Sequence, residues 1–222
     1  MPQWLVMLSW VSIILGLATA GMIALDVRRH PQHMTIMNIV WPVTGLYFPI
    51  VGWWLYAVMA CPMAADAPKL KRHQPYWKSI FLSATHCGSG CVIGDIIGAP
   101  IVPATGWALF GQRLYADYIV EFGIAYLFGI AFQYFPIRAM RHVPPKEAII
   151  DAAKADTLSL IAFEVGMFSW MAVIWFLLMA TNRPDASSIV FWFMMQIGMV
   201  LGFLTTYPAN WLLVRWGMKS AM

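Results

Sequence analysis

The sequence predicts an all-α, polytopic transmembrane helix bundle of about six spans, on three observations. Hydrophobic residues make up 61% of the 222-residue chain and charged residues only 11%, against roughly 25% charged in soluble domains. The apolar residues fall in runs of about the 20 residues that cross a hydrocarbon core. Between those runs stand most of the charged residues and several Pro and Gly. Disordered, collagen-like and ordinary cytosolic classes are excluded, and residues 1–222, with no linker or repeat, read as a single transmembrane domain.

The first run, Pro2 to Leu25, carries an Ala18-Thr19-Ala20 cleavage-like pattern but no basic n-region, so a retained span is expected. The second runs from Met34 to Ala60 across Pro42 and Pro49, and the third from about Trp77 to Ile101. A Pro/Gly-rich loop leads to the fourth, Leu114 to Ile137, and the sixth runs from Ser187 to Val214. The fifth, within Leu158 to Ala180, begins earlier, because Pro144 and Pro145 signal a helix start ahead of Lys146, Glu147, Asp151, Lys154 and Asp156. A helix from Lys146 to Ala180 spans roughly 52 Å at 1.5 Å per residue, so its first turns are expected as a cytoplasmic extension with a solvated charged face.

Alternating six spans puts ten basic residues on one side (Lys69, Lys71, Arg72, Lys78, Arg138, Arg141, Lys146, Lys154, Arg215, Lys219) and four on the other (Arg28, Arg29, Arg113, Arg183). By the positive-inside rule both termini are then cytoplasmic, in a multi-pass bacterial inner-membrane protein. The net charge of +4 is too small to indicate nucleic acid as a partner. The expected partners are the lipid bilayer and either other membrane subunits or further copies of the chain.

Chemistry concentrates in the third run, Thr85-His86-Cys87-Gly88-Ser89-Gly90-Cys91-Val92-Ile93-Gly94-Asp95. On a helix Cys87, Cys91 and Asp95 share one face, while Gly90, Gly94 and Gly98 form a neighbouring stripe that admits another helix closely. His86, Cys87 and Cys91 make a ligand set for a soft ion, copper or zinc, with copper favoured. Asp95, Glu121 and Glu164 fall at membrane depth and would compensate its charge, with Gln133 and Gln196 as uncharged partners. The packing alternative treats the cysteines as small hydrophobes and each acid as protonated and hydrogen-bonded. A disulfide requires a broken helix, since i and i+4 Cβ atoms stand about 6 Å apart against the roughly 3.5–4.5 Å it needs. His30, His33 and Met34 in the first loop mark one mouth for a soft metal, and Cys61-Pro62-Met63 the opposite one. Haem and nucleotide motifs are absent from the sequence.

His86-Cys87-x-x-Gly90-Cys91-x-x-Gly94-Asp95 and Gln196-Ile197-x-Met199-x-x-Gly202-Phe203-x-Thr205-x-Tyr207-Pro208-x-Asn210-Trp211, with Met37-Asn38-Ile39-Val40-Trp41-Pro42 ahead of them, resemble a bacterial integral-membrane family, domain of unknown function 4396. The resemblance implies a bacterial inner-membrane protein and supplies no activity. The expected function is binding or conduction of a soft transition-metal ion through His86, Cys87 and Cys91, a reading that leaves open whether the protein is also an enzyme. The alternatives are a non-catalytic subunit of a membrane complex and a thiol-redox protein using Cys87 and Cys91.

Overall fold

A computed structural model describes residues 1–67, 75–141, 143–217 and 219; Lys69, Lys71, Arg72, His73 and His142 lie outside them. The chain is all-α, with no strand among the described residues. Five helices are long and apolar enough to cross a membrane. They are α1 (Gln3–Arg29), α4 (Tyr76–Gly98), α6 (Arg113–Arg141), α7 (Pro145–Val173) and α8 (Ile189–Arg215). The short helices are α2 (Met37–Tyr47), α3 (Val51–Met59) and α5 (Ile101–Thr105).

The run Met34 to Ala60 does not cross. It folds into a hairpin, α2 then α3, with arms of 11 and 9 residues. At 1.5 Å per residue each arm covers about half of a 30 Å hydrocarbon core. The reversal is local backbone chemistry: Pro49 has no N–H to continue the helix, and Ile50 takes φ 63° while the Val51 N–H closes onto the Pro49 carbonyl at 2.6 Å. Side chains satisfy the backbone groups freed there, as irregular backbone at membrane depth requires. Ile50 N–H donates to Thr19 Oγ1 at 3.1 Å, and Gln196 Nε2 donates to the Leu46 carbonyl at 2.6 Å. Gln196 Oε1 in turn accepts from Ser12 at 2.6 Å, so Gln196 serves the hairpin rather than the acids.

Both ends of the hairpin therefore emerge at one end of the bundle. Gln32 pairs with Ala64, Ala65 N–H donates to the Pro31 carbonyl at 2.8 Å, and His30 Nδ1 donates to Asp66 Oδ2 at 2.7 Å. Met1 and Lys219 lie at opposite ends of the bundle, and Arg28 and Arg29 join the end that holds Lys219. Among the described Lys and Arg, only Arg113 and Arg183 belong to segments at the other end.

At the centre stands α4, where Leu82 to Val92 is an unbroken buried stretch. Its glycine stripe lies antiparallel against α6: Gly90 against Gly129, Gly94 against Ala125, Gly98 against Glu121. A Cβ on Gly94 would overlap the Ala125 backbone. In α7, which ends in a π-helical turn at Ile174–Leu178, Gly166 meets Gly202 of α8 in the same manner. The helix does start at Pro145 as the sequence predicts, but Asp156 departs from the solvated face expected for it. It is 2% exposed, because α4, α6 and the tail close over the third turn of α7.

Candidate functional site

Three stripes converge in the interior. From α4 come Cys87, Cys91 and Asp95; from α7 come Asp156 and Glu164, eight residues apart and so on one face; from α6 comes Glu121. All six are buried, and Asp95 and Cys91 have no exposed surface.

At mid-bundle the acids meet. The carboxyls of Asp95 and Glu164 sit in each other's field and in that of Glu121, whose Cα and Cγ pack where Gly98 leaves room. No N–H or O–H of the described residues reaches the Asp95 or Glu164 oxygens, and the Cys91 thiol is the hydrogen-bonding neighbour of Glu164. The Cys91 thiol lies beside Glu164 on one side and Cys87 on the other, and both thiols are free. Bare carboxylates in such a place would be stranded, so each must hold a proton or share a cation.

One end of this interior opens beside Glu121 into a cleft lined by Asp117, Tyr118, Arg113, Trp175 and Asp185. At its lip Arg113 pairs with Asp185 at 3.7 Å, and the Arg183 guanidinium lies 4.8 Å from the Trp175 ring centre. A hydrogen bond from the Ser187 hydroxyl, with the Arg113 charge behind it, holds the Asp185 carboxyl below the usual carboxylate range.

The other end carries polar residues that the sequence reading left out of the site. Asp156 Oδ1 accepts from Lys219 Nζ and from Gln133 Nε2, each at 3.4 Å, and Asp156 Oδ2 has no partner. Lys219 Nζ also donates to Ser159 Oγ at 3.2 Å, and Ser159 donates to Asn210 Oδ1 at 2.9 Å. Gln133 is thus a partner of Asp156 rather than of the mid-bundle acids. The Cys87 thiol lies beside Asp156, and His86 feels the charges of both Asp156 and Lys219. The repeat of α7, Asp156 eight residues before Glu164, was the available signal for Asp156. Nothing in the tail's sequence marks Lys219 as buried.

The predicted ligands are only partly brought together. Cys87 and Cys91 adjoin, with Glu164 beside Cys91 and Asp95 and Glu121 next to Glu164 in the buried interior. His86 instead turns toward α6, where its Nε2 donates to the Phe132 carbonyl at 3.2 Å and Nδ1 has no partner. Among the described residues no three His, Cys, Asp or Glu groups converge as a metal-binding set. The two expected mouths lie at the same end of the bundle: His30 and Cys61 share a cleft with Asp26 and Asp66, and His33, Met34 and Met63 share a second one.

Residues 76–219 match the family described as domain of unknown function DUF4396. No curated protein and no solved structure matches the chain.

Proposed function

The chain belongs to the DUF4396 family, and we propose that it is a membrane protein that passes protons through the interior of its bundle. The observation that carries this reading is the pair Asp95 and Glu164, buried in each other's field at mid-bundle with no basic side chain paired with them among the described residues. The order of groups from the outer cleft inward is Asp117, Glu121, Asp95, Glu164, Cys91, Cys87 and Asp156. Each step moves one proton from an acid or thiol to its deprotonated neighbour, through a water admitted between them where the two do not touch, so the donor is restored by the group behind it and no electron is transferred. The end holding nearly all the basic residues is the cytoplasmic one, with the N-terminus outside and the tail inside, in the inner membrane of a bacterium.

The test is proton uptake into proteoliposomes driven by a potassium diffusion potential and read by an enclosed pH dye. Wild type acidifies the lumen, Asp95→Asn does not, and Glu164→Gln falls at least tenfold, whereas Glu147→Gln in the exposed first turn of α7 acts as wild type. Asp95→Asn uptake equal to wild type would overturn the reading.

A second reading, a soft metal ion as cargo, is favoured by the two free thiols one helical turn apart with Glu164 beside them. Thiolate and carboxylate donors select Cu(I) or Zn(II) over Mg(II) or Ca(II), and binding releases the thiol protons. Elemental analysis of purified wild type against Cys87→Ser/Cys91→Ser decides it. Stoichiometric metal lost in the double variant supports this reading, and equal content removes it.

A further inference from the structure

The chain reverses just beyond α8. Gly217 adopts φ 71°, which a residue without a Cβ accepts at no cost, and its N–H donates to the Val214 carbonyl at 3.1 Å. Lys219 N–H then donates back to the Leu213 carbonyl at 3.3 Å, which aims the lysine side chain into the bundle. Lys219 is 6% exposed, and its ammonium touches Asp156 Oδ1 and Ser159 Oγ. A buried ammonium at the end of a tail is expensive, and a mere anchor would be served by an apolar side chain.

The surroundings are those of a cation site. Asp156 supplies one negative charge, Ser159 and Asn210 supply oxygens held in place by Thr206 and Ser83, and Asp156 Oδ2 is an acceptor that Lys219 leaves unused. The Ser159 carbonyl already accepts from Thr206 at 2.6 Å, so Ser159 meets the ammonium through its hydroxyl oxygen, beside Asp156 Oδ1. Cys87 lies immediately behind this pair. One positive charge neutralises the site and a second would not, so an external cation enters only as Lys219 leaves.

We propose that Asp156 and Ser159 form a binding site for a small monovalent cation of the ammonium type, occupied and closed by the chain's own Lys219. The site is the cytoplasmic door of the interior acids, and this last point rests on the proton-path reading above.

The test uses full-length protein in detergent with Cys61→Ser and Cys91→Ser, so that Cys87 is the single thiol, and reads its rate of modification by a charged methanethiosulfonate. With Lys219 present Cys87 reacts slowly; with Lys219→Ala it reacts at least tenfold faster. Methylammonium chloride restores protection in Lys219→Ala, and tetramethylammonium chloride at equal ionic strength does not. An unchanged rate in Lys219→Ala, or equal effects of the two salts, overturns the proposal. Should the lone Asp156 prevent folding, Lys219→Ala/Asp156→Asn removes both charges; fast modification that methylammonium no longer slows supports the site, and slow modification overturns it. Proton uptake in the otherwise unaltered chain separates the two readings. No uptake with or without Lys219, but Cys87 opened by Lys219→Ala, sustains the door and defeats the path. Equal uptake in wild type and Lys219→Ala, with Cys87 still protected, defeats the door and leaves the path.

Discussion

At Gly94 a single methyl group decides whether α4 and α6 can touch. The Cβ of an alanine there would overlap the Ala125 backbone, which cannot rotate away as a side chain would. Gly94→Ala is therefore expected to cost on the order of 1–3 kcal/mol, read as a lowered unfolding midpoint in detergent. Gly123→Ala on α6 is the control, since nothing lies within 4 Å of its added Cβ, and it should leave the midpoint unchanged or higher. The stripe of Gly90, Gly94 and Gly98 was legible because small residues at every fourth position have few uses on a membrane helix besides close approach. The His30 and Asp66 pair was not, since the two residues stand in loops 36 residues apart. The Asp66 hydrogen bond first, and its charge second, raise the His30 pKa above 6.5, while His30 holds Asp66 below its usual range. His30's contribution is complete below 6.5 and is lost as pH rises through its raised value; Asp66's is present above its unfolded value and is lost as pH falls through its lowered one. The clasp between the hairpin's ends is thus strongest between those two limits. NMR titration should find His30 above 6.5 and Asp66→Asn returning it toward that value.

The α2–α3 hairpin shows where apolar composition stops informing. A 27-residue apolar run reads identically as one span or as two half-length arms, and Met34 to Ala60 was read as a span on length alone. The deciding facts are local, namely Pro49 at the middle of the run and the turn centred on Ile50. A branched residue at φ 63° stores strain of order 1–3 kcal/mol. Ile50→Gly should raise the unfolding midpoint, and Thr19→Val, which strands the Ile50 N–H, should lower it by about 1–3 kcal/mol. Single cysteines at Gln32 and Ala65 should label from the same side of the membrane, and a cysteine at Ile50 from neither. Labelling of Gln32 and Ala65 from opposite sides would restore the sixth span. The α7 stripe was half legible for a related reason. Glu164 fell within the hydrophobic window and was read as interior, whereas Asp156 fell in the charged stretch before it and was read as solvated, although its spacing put it on the same face.

Over the whole molecule, counting the five membrane-length helices as the spans turns a weak charge asymmetry into a strong one, because Arg28 and Arg29 change ends with the hairpin. The N-terminus is expected outside and the tail inside, so reporters at Met1 and after the tail should mark opposite sides. The all-α bundle, the central α4 and the depth of Asp95, Glu121 and Glu164 follow from hydropathy and helical periodicity, which are properties of single segments. The company those acids keep does not, because it depends on which helix faces meet and on a tail that folds back on itself. The account's central claim is that Asp95 and Glu164 hold exchangeable protons inside the bundle. Infrared difference spectroscopy of the reconstituted protein in H₂O and D₂O tests it most directly. Isotope-sensitive carboxylic acid C=O bands at neutral pH, one lost in Asp95→Asn and another in Glu164→Gln, are the expected result. Spectra of both variants identical to wild type in that region would contradict it.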